Sequence, residues 1–239
     1  ATMYALKTLG VKIEKSNGCW FVNGVGIFGF KEPTEYLDLG NSGTGARLIL
    51  GAIMGSSILA NLKGDASLSK RPMGRILIPL KMMGAKIISS NNEKLPLTIK
   101  GPKEVFPINY SSKISSAQIK SSILLSGLAA SGKTVFKEPN ESRNHTEKML
   151  SGLGANIQSK TLEDGSYKVE LGGNPVLRSS PINVPCDPSS AAFLVVAAVI
   201  CPESKIELKN IMISKGRDGL FKTLKEMGAK INIFNKKNN

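Results

Sequence analysis

One short joint, written four times, constrains this chain more than any other feature. "LGVKI" stands at Leu9–Ile13, "MGAKI" at Met83–Ile87, "LGANI" at Leu153–Ile157 and "MGAKI" again at Met227–Ile231. Their glycines, Gly10, Gly84, Gly154 and Gly228, are separated by 74, 70 and 74 residues. Self-similarity at a fixed interval marks one structural unit repeated. In front of Gly84, Met73, Ile76, Leu77, Leu80 and Met83 recur at helical spacing. A glycine just past such a run stops the helix in a left-handed conformation, and "AKI" or "ANI" then starts a strand. Each joint therefore predicts the end of an amphipathic helix and the beginning of a strand.

Aligned on the glycines, the chain shows a longer unit. It opens with a Ser-rich turn into a nearly all-apolar stretch: "GNSGTGARLILGAIMG" (40–55), "ISSAQIKSSILLSGLAASG" (114–132) and "DPSSAAFLVVAAVI" (187–200). A short strand follows in "SSILANLKG", "KTVFKEP" and "SKIELKNI". Next come a polar loop with arginine, the amphipathic helix, the glycine and a strand. The first two units close with a further strand, "LPLTIKG" (95–101) and "SYKVELGG" (166–173). The reading is βαβαββ, an α/β (α+β) fold. A first helix that is apolar all round is buried on every side, so parallel inner helices are expected beneath outer sheets. Pro79 predicts a kink or break in its helix. "NHTE" at 144–147 predicts a capping box, with Asn144 as N-cap and Glu147 reaching back. The chain opens on the second helix of a unit and stops before the closing strand of another, as expected of a piece of a longer protein.

Composition excludes some functions. The longest apolar run, Ala191 to Cys201, is 11 residues, too short to span a bilayer, and no signal-peptide pattern is visible. Three cysteines, Cys19, Cys186 and Cys201, fit neither a disulfide framework nor metal-ligand spacing and suit a reduced, cytoplasmic chain. The net charge of +14 favours anionic partners without choosing among them, and a general Lys/Ile/Asn bias, as in "INIFNKKNN", supplies part of it. Aromatics are only 5%, with no basic stripe interleaved among them, which argues against nucleic acid.

The candidate chemistry lies at corresponding places in the repeats. "GNSGTGAR" (40–47) puts glycines, Ser and Thr before a buried helix, where free N–H groups favour an anion; without GK[ST] it is no P-loop. "SKRPMGR" (69–75) sets Lys70, Arg71 and Arg75 around a second helix, with Pro72 expected at its first position. Arginines there oppose the helix dipole and gain nothing locally, and they make sense if they face a carboxylate or phosphate. "KISSAQIK" (113–120) offers Ser115, Ser116, Gln118 and Lys120, and "ESRNHTE" (141–147) adds Arg143 and the only histidine, His145. Taken singly, "GNSGTGAR" reads as plain N-capping, "SKRPMGR" equally well as a solvated basic loop, and a lone histidine in a capping segment as structural. Taken together, they predict a pocket for a small, multiply anionic ligand, with catalysis by positioning and charge stabilisation. No triad or metal site is expected.

"LDLGNSGTGARL", "GDASLSKRPMGRILIPLKMMGAKI", "LPLTIKGP", "SSAQIKSSILLSGL", "SRNHTEKMLSGLGANI" and "VPCDPSSAAFLV", in this order, resemble the EPSP synthase (3-phosphoshikimate 1-carboxyvinyltransferase) family along essentially the whole chain. The resemblance implies an inside-out prism of βαβαββ units in two domains. It implies transfer of the enolpyruvyl group of phosphoenolpyruvate to the 5-hydroxyl of shikimate 3-phosphate, through a tetrahedral intermediate, without metal or organic cofactor. By motif, Ser115, Ser116, Gln118 and Arg143 correspond to the shikimate 3-phosphate contacts. Asn41, Gly43, Thr44, Arg71 and Gln118 correspond to the phosphoenolpyruvate site, with Gly43 leaving room for the inhibitor glyphosate. The related UDP-N-acetylglucosamine enolpyruvyl transferase carries a cysteine before the corresponding arginine; "KGDASLSKRP" has none. A non-catalytic anion-binding relative is the third reading.

On this resemblance residues 1–182 are most of the shikimate-phosphate-binding domain, a half unit plus two full units. Residues 183–239 are the first, incomplete unit of the second domain, joined near Asn183 to Asp187. The family's N-terminal substrate contacts and its proton-transfer residues have no counterpart here, so no catalytic residue is assigned. The expectation is a cytoplasmic enzyme fragment that binds substrates weakly, does not turn over alone, and has no nucleic-acid or membrane partner; the missing segments of the same enzyme are its expected partner.

Overall fold

The computed structural model describes residues 1–214 and 216–235. They divide into two compact units, Ala1–Ser179 and Ser180–Asn239.

The first unit begins with helix α1 (Thr2–Thr8) and an antiparallel hairpin, β1 (Lys12–Ser16) with β2 (Cys19–Asn23). Two repeats follow. The first is β3 (Leu37–Asp38), α2 (Gly43–Ala52), β4 (Leu59–Lys63), the short α3 (Ala66–Ser69), α4 (Gly74–Met82), β5 (Lys86–Asn91) and β6 (Lys94–Lys100). The second is β7 (Asn109–Ser111), α5 (Ala117–Gly127), β8 (Lys133–Glu138), α6 (His145–Gly152), β9 (Ile157–Thr161) and β10 (Tyr167–Gly172). Their sheets are ordered β3-β4-β6-β5 and β7-β8-β10-β9. In each, the first pair is parallel and the other two are antiparallel, so the repeats are topological copies.

Alternation fixes which face of each sheet points inward. Leu95, Leu97 and Ile99 of β6 and Tyr167, Val169 and Leu171 of β10 are buried, and Leu62 of β4 lies opposite Leu97. Above them run α2 and α5, whose small residues let the backbones come close. A Cβ added at Gly51 would stand 2.4 Å from the carbonyl oxygen of Ser122. Ser126 Oγ donates to the Gly51 carbonyl at 3.0 Å. Helices inside and sheets outside is the inside-out arrangement expected from sequence.

The four joints have one geometry. Gly10, Gly84, Gly154 and Gly228 have φ of +92°, +106°, +94° and +95°. In each, the glycine N–H reaches the carbonyl three residues back, and the next N–H reaches the carbonyl five residues back, as in Val11 to Leu6 at 3.0 Å and Ala85 to Leu80 at 2.9 Å. This is the Schellman stop, which needs a residue without Cβ penalty in the left-handed region.

Several expectations fail for physical reasons. α4 runs through Pro79 without a break. The helix starts only at Gly74, so proline removes just the one bond to the Arg75 carbonyl. Pro72 precedes the helix rather than opening it. Asn144 is the N-cap of α6 but makes no side-chain cap bond. Its amide donates to Glu141 at 2.9 Å, and Glu147 is drawn instead to a buried lysine 2.7 Å away.

In the second unit, α7 (Pro188–Ile200) is capped by Asp187, which accepts from the Ser190 N–H at 2.9 Å, and α8 (Gly219–Glu226) precedes the fourth joint. The strand expected in "SKIELKNI" is absent: only an isolated parallel bridge joins Cys186 and Ile211. Nor does a strand follow Gly228 among the described residues. An extended segment becomes a strand only where a neighbour satisfies its backbone groups. Burial of α7 on every side also fails. Of its 13 residues only Pro188, Ala191 and Val195 are buried, while Phe193 is 81% exposed.

Candidate anion-binding site

At the start of α2, Ser42 Oγ accepts from the Gly45 N–H at 3.1 Å, capping the helix. Beside it lies Arg71, on the link between α3 and α4. Arg71 Nη2 donates to Asn41 Oδ1 at 3.0 Å and to Ser67 Oγ at 3.4 Å. Asn41 Nδ2 donates in turn to Asp65 Oδ2 at 2.7 Å, and Asp65 Oδ1 caps α3 by accepting from the Leu68 N–H at 2.7 Å. Those bonds, the backbone one foremost, hold the Asp65 carboxyl below its usual range. Neutral groups orient Arg71, so its positive charge stays available to a ligand.

A second arginine lies beneath. Arg47, inside α2, is buried; Nη1 donates to the Gly43 carbonyl at 3.3 Å and Nη2 to the Pro72 carbonyl at 3.2 Å. Its Nε is buried without a partner. Burial, then the charges of Arg75 and Arg71, push its pKa down. Gly43 sits between the two guanidiniums: a Cβ there would be 3.0 Å from Arg47 Nη1 and 3.1 Å from Arg71 Nη1. Two like charges around one glycine at a helix N-terminus make an anion-seeking surface.

The start of α5 meets that of α2. Gln118 Nε2 donates to Thr44 Oγ1 at 2.8 Å, a bond between residues 74 apart that occupy corresponding places in the repeats. Ser115 Oγ accepts from the Asn140 N–H at 2.9 Å, and Ser116 donates its N–H to Glu138 Oε2 at 3.0 Å. Glu138 Oε1 also receives Ser142 N–H at 2.9 Å and Ser142 Oγ at 2.7 Å. Arg143 follows Ser142 on this loop and is exposed. It makes no hydrogen bond to Ser115, Ser116 or Gln118 in this structure. Asn41, Gly43, Thr44, Arg71 and Gln118 thus converge directly, while Arg143 is connected through its neighbour.

Sequence reasoning missed Arg47 and Glu138, read Glu147 only as a capping partner, and placed Lys120 in the anion pocket, whereas Lys120 is wholly buried against Glu138 and Glu147. The available signal was a charge inside an otherwise apolar helix: Arg47 in α2, Lys120 in α5. His145 is simply the first residue of α6. Among the described residues no three His, Cys, Asp or Glu side chains group as metal ligands. The chemistry on offer is anion binding and orientation by arginines, helix N-termini and hydroxyls.

Residues 1–239 match the family described as EPSP synthase (3-phosphoshikimate 1-carboxyvinyltransferase). A protein of Paracoccus denitrificans (strain Pd 1222) named 3-phosphoshikimate 1-carboxyvinyltransferase is 48% identical over 237 residues, covering 99% of this chain and 53% of its own. One so named from Rhodopseudomonas palustris (strain ATCC BAA-98 / CGA009) is 50% identical over 232 residues, covering 96% and 52%. A 2.37 Å structure of EPSP synthase from Acinetobacter baumannii superposes with a TM-score of 0.82 at 39% identity, covering 98% of this chain and 52% of that one. The chain spans about half the length of the relatives it matches.

Proposed function

Because this chain belongs to the EPSP synthase family, we propose that it supplies half of a site that transfers the enolpyruvyl group of phosphoenolpyruvate to the 5-hydroxyl of shikimate 3-phosphate. Phosphate leaves, and the step serves aromatic amino-acid biosynthesis by way of the shikimate pathway, in the cytoplasm. Residues 1–182 are most of the shikimate-phosphate domain, and residues 183–239 begin the second.

The α5 side, with Ser115, Ser116, Gln118 and Arg143, holds shikimate 3-phosphate. The α2 side, with Asn41, Gly43, Thr44 and Arg71, holds phosphoenolpyruvate and admits glyphosate in its place. Gln118 serves both. Their contribution is to bring the 5-hydroxyl and the enol carbon together and to offset negative charge as the tetrahedral adduct forms. The isolated 239 residues bind weakly and do not turn over.

The observation that carries this reading is the Gln118–Thr44 bond of 2.8 Å, which sets the two helix starts side by side. Calorimetry with shikimate 3-phosphate, followed by glyphosate, tests it. Saturable binding of the first, lost in Arg143→Ala, and of the second, lost in Arg71→Ala, is expected. Binding indifferent to both substitutions would sink the assignment, and phosphate release by the purified chain would refute its inactivity.

A further inference from the structure

Lys120 lies two residues beyond Gln118 on α5 and is wholly buried. Its Nζ stands 3.0 Å from Glu138 Oε1, 2.7 Å from Glu147 Oε1 and 3.3 Å from the Ser142 carbonyl, and 4.8 Å from the centre of the Tyr167 ring. Burying an amine with two carboxyl groups gains little stability over apolar side chains of the same volume.

The first repeat shows that the fold does not need them. By the register that matches Thr44 to Gln118, the counterpart of Lys120 is Ala46 and that of Glu138 is Gly64. Counted back from the glycine joint, the counterpart of Glu147 is Leu77. Ala46 and Leu77 are both buried in the core. The same architecture is therefore built once with apolar residues and once with charges.

What the charged version adds is a tie. Glu138 Oε2 holds the Ser116 N–H at the start of α5, while Oε1 holds the N–H and hydroxyl of Ser142, next to Arg143. We infer that Glu138 is a positioning residue: its carboxylate, paired with Lys120, locks the start of α5 and the loop bearing Arg143 into one geometry, so that a phosphorylated ligand meets Ser115, Ser116 and Arg143 together. The inference rests on the reading that these residues hold shikimate 3-phosphate.

The test is a double-mutant cycle on the 239-residue chain, with shikimate 3-phosphate affinity measured by NMR titration for the unmodified chain, Glu138→Gln, Arg143→Ala and the pair. Glutamine keeps the shape but cannot accept both sets of bonds. Glu138→Gln should weaken binding about ten- to hundredfold, as small misplacements do. Arg143→Ala should then cost little more, because the two act through one geometry. Unchanged affinity in Glu138→Gln, or losses that simply multiply, overturns the inference.

Amide exchange without ligand gives the second readout. In Glu138→Gln the Ser116 and Ser142 amides should exchange faster together, while those of Ile123 to Gly127 hold; independent behaviour of the two overturns the inference. This arm decides even where the unmodified chain binds no shikimate 3-phosphate, a result that defeats the site reading alone. Should Glu138→Gln not fold, Ser142→Ala, which removes only the 2.7 Å hydroxyl bond, is put through the same two tests, with a severalfold loss of affinity expected.

Discussion

Gly51→Ala adds one methyl group at the closest approach of the two inner helices. The new Cβ would lie 2.4 Å from the carbonyl oxygen of Ser122 and 2.8 Å from its Cα. That is about 1 Å inside the roughly 3.5 Å at which nonbonded heavy atoms rest comfortably. The obstacle is backbone within a helix, so relief requires α2 and α5 to move apart. Overpacking of this kind costs about 1–3 kcal/mol. The bond from Ser126 Oγ to the Gly51 carbonyl is strained or lost as well, worth about 1 kcal/mol. Against this stands a helix-propensity gain of up to about 1 kcal/mol for alanine over glycine. The balance is a loss of about 1–3 kcal/mol, which for a chain this size lowers Tm by about 2–12 °C. Gly152→Ala in α6 is the control, because nothing lies within 4 Å of its added Cβ; it should leave Tm unchanged or raise it slightly. The assay is thermal unfolding by circular dichroism, with the Gln118 side-chain amide followed by NMR to report the contact with Thr44. Equal stability of the two variants, with Gln118 undisturbed, would refute the close-packing argument.

Gly43→Ala should displace the exposed Arg71 guanidinium rather than the buried Arg47, because both lie about 3 Å from the added Cβ; glyphosate binding by calorimetry should weaken at least severalfold while shikimate 3-phosphate binding holds. Arg47→Met should loosen the link to the Pro72 carbonyl, so faster exchange at Met73 and Gly74 together with weaker glyphosate binding is expected. Burial raises the pKa of Glu147, with Lys120 opposing. Its folded form therefore keeps a proton at a pH where the unfolded chain has lost it, and it destabilises the fold as pH rises through that interval. Glu147→Gln should accordingly be at least as stable as the unmodified chain at pH 7, with the gap closing as pH falls toward the ordinary carboxylate range; denaturant midpoints against pH decide. Asp164, held at about 2 by Ser166 and Lys137, behaves oppositely, contributing stability above its unfolded pKa that disappears as pH falls through about 2, a loss that Asp164→Asn should abolish.

The parts of the fold that were readable are those where the backbone demands a residue type. Gly10, Gly84, Gly154 and Gly228 occupy a left-handed joint, and β6, β8 and β10 alternate between core and solvent. β3 and β7, two and three residues long, are too short to leave a period. Apolar character revealed what α2, α5 and α7 are made of but not what covers them, so α7 misled. At the site, loop glycines, Ser/Thr caps and clustered arginines were legible because each has a local reason to sit at a helix start. The Lys120–Glu138 pair spans 18 residues, and no local rule predicts it. Glu147 had a plausible local task as a capping partner, which a buried ammonium overrode.

The most direct measurement is an NMR titration of the isotopically labelled chain with shikimate 3-phosphate, read by residue. The account predicts that amides at Ser115 to Gln118 and Ser142 to Arg143 shift with one saturation curve, that Gly43 and Thr44 follow through Gln118, and that Asp187 to Ser190 do not move. Shifts at the α7 start equal to those at α5, or none at α5, would contradict it: the anion would then be answering helix ends in general, and not a site built from two repeats.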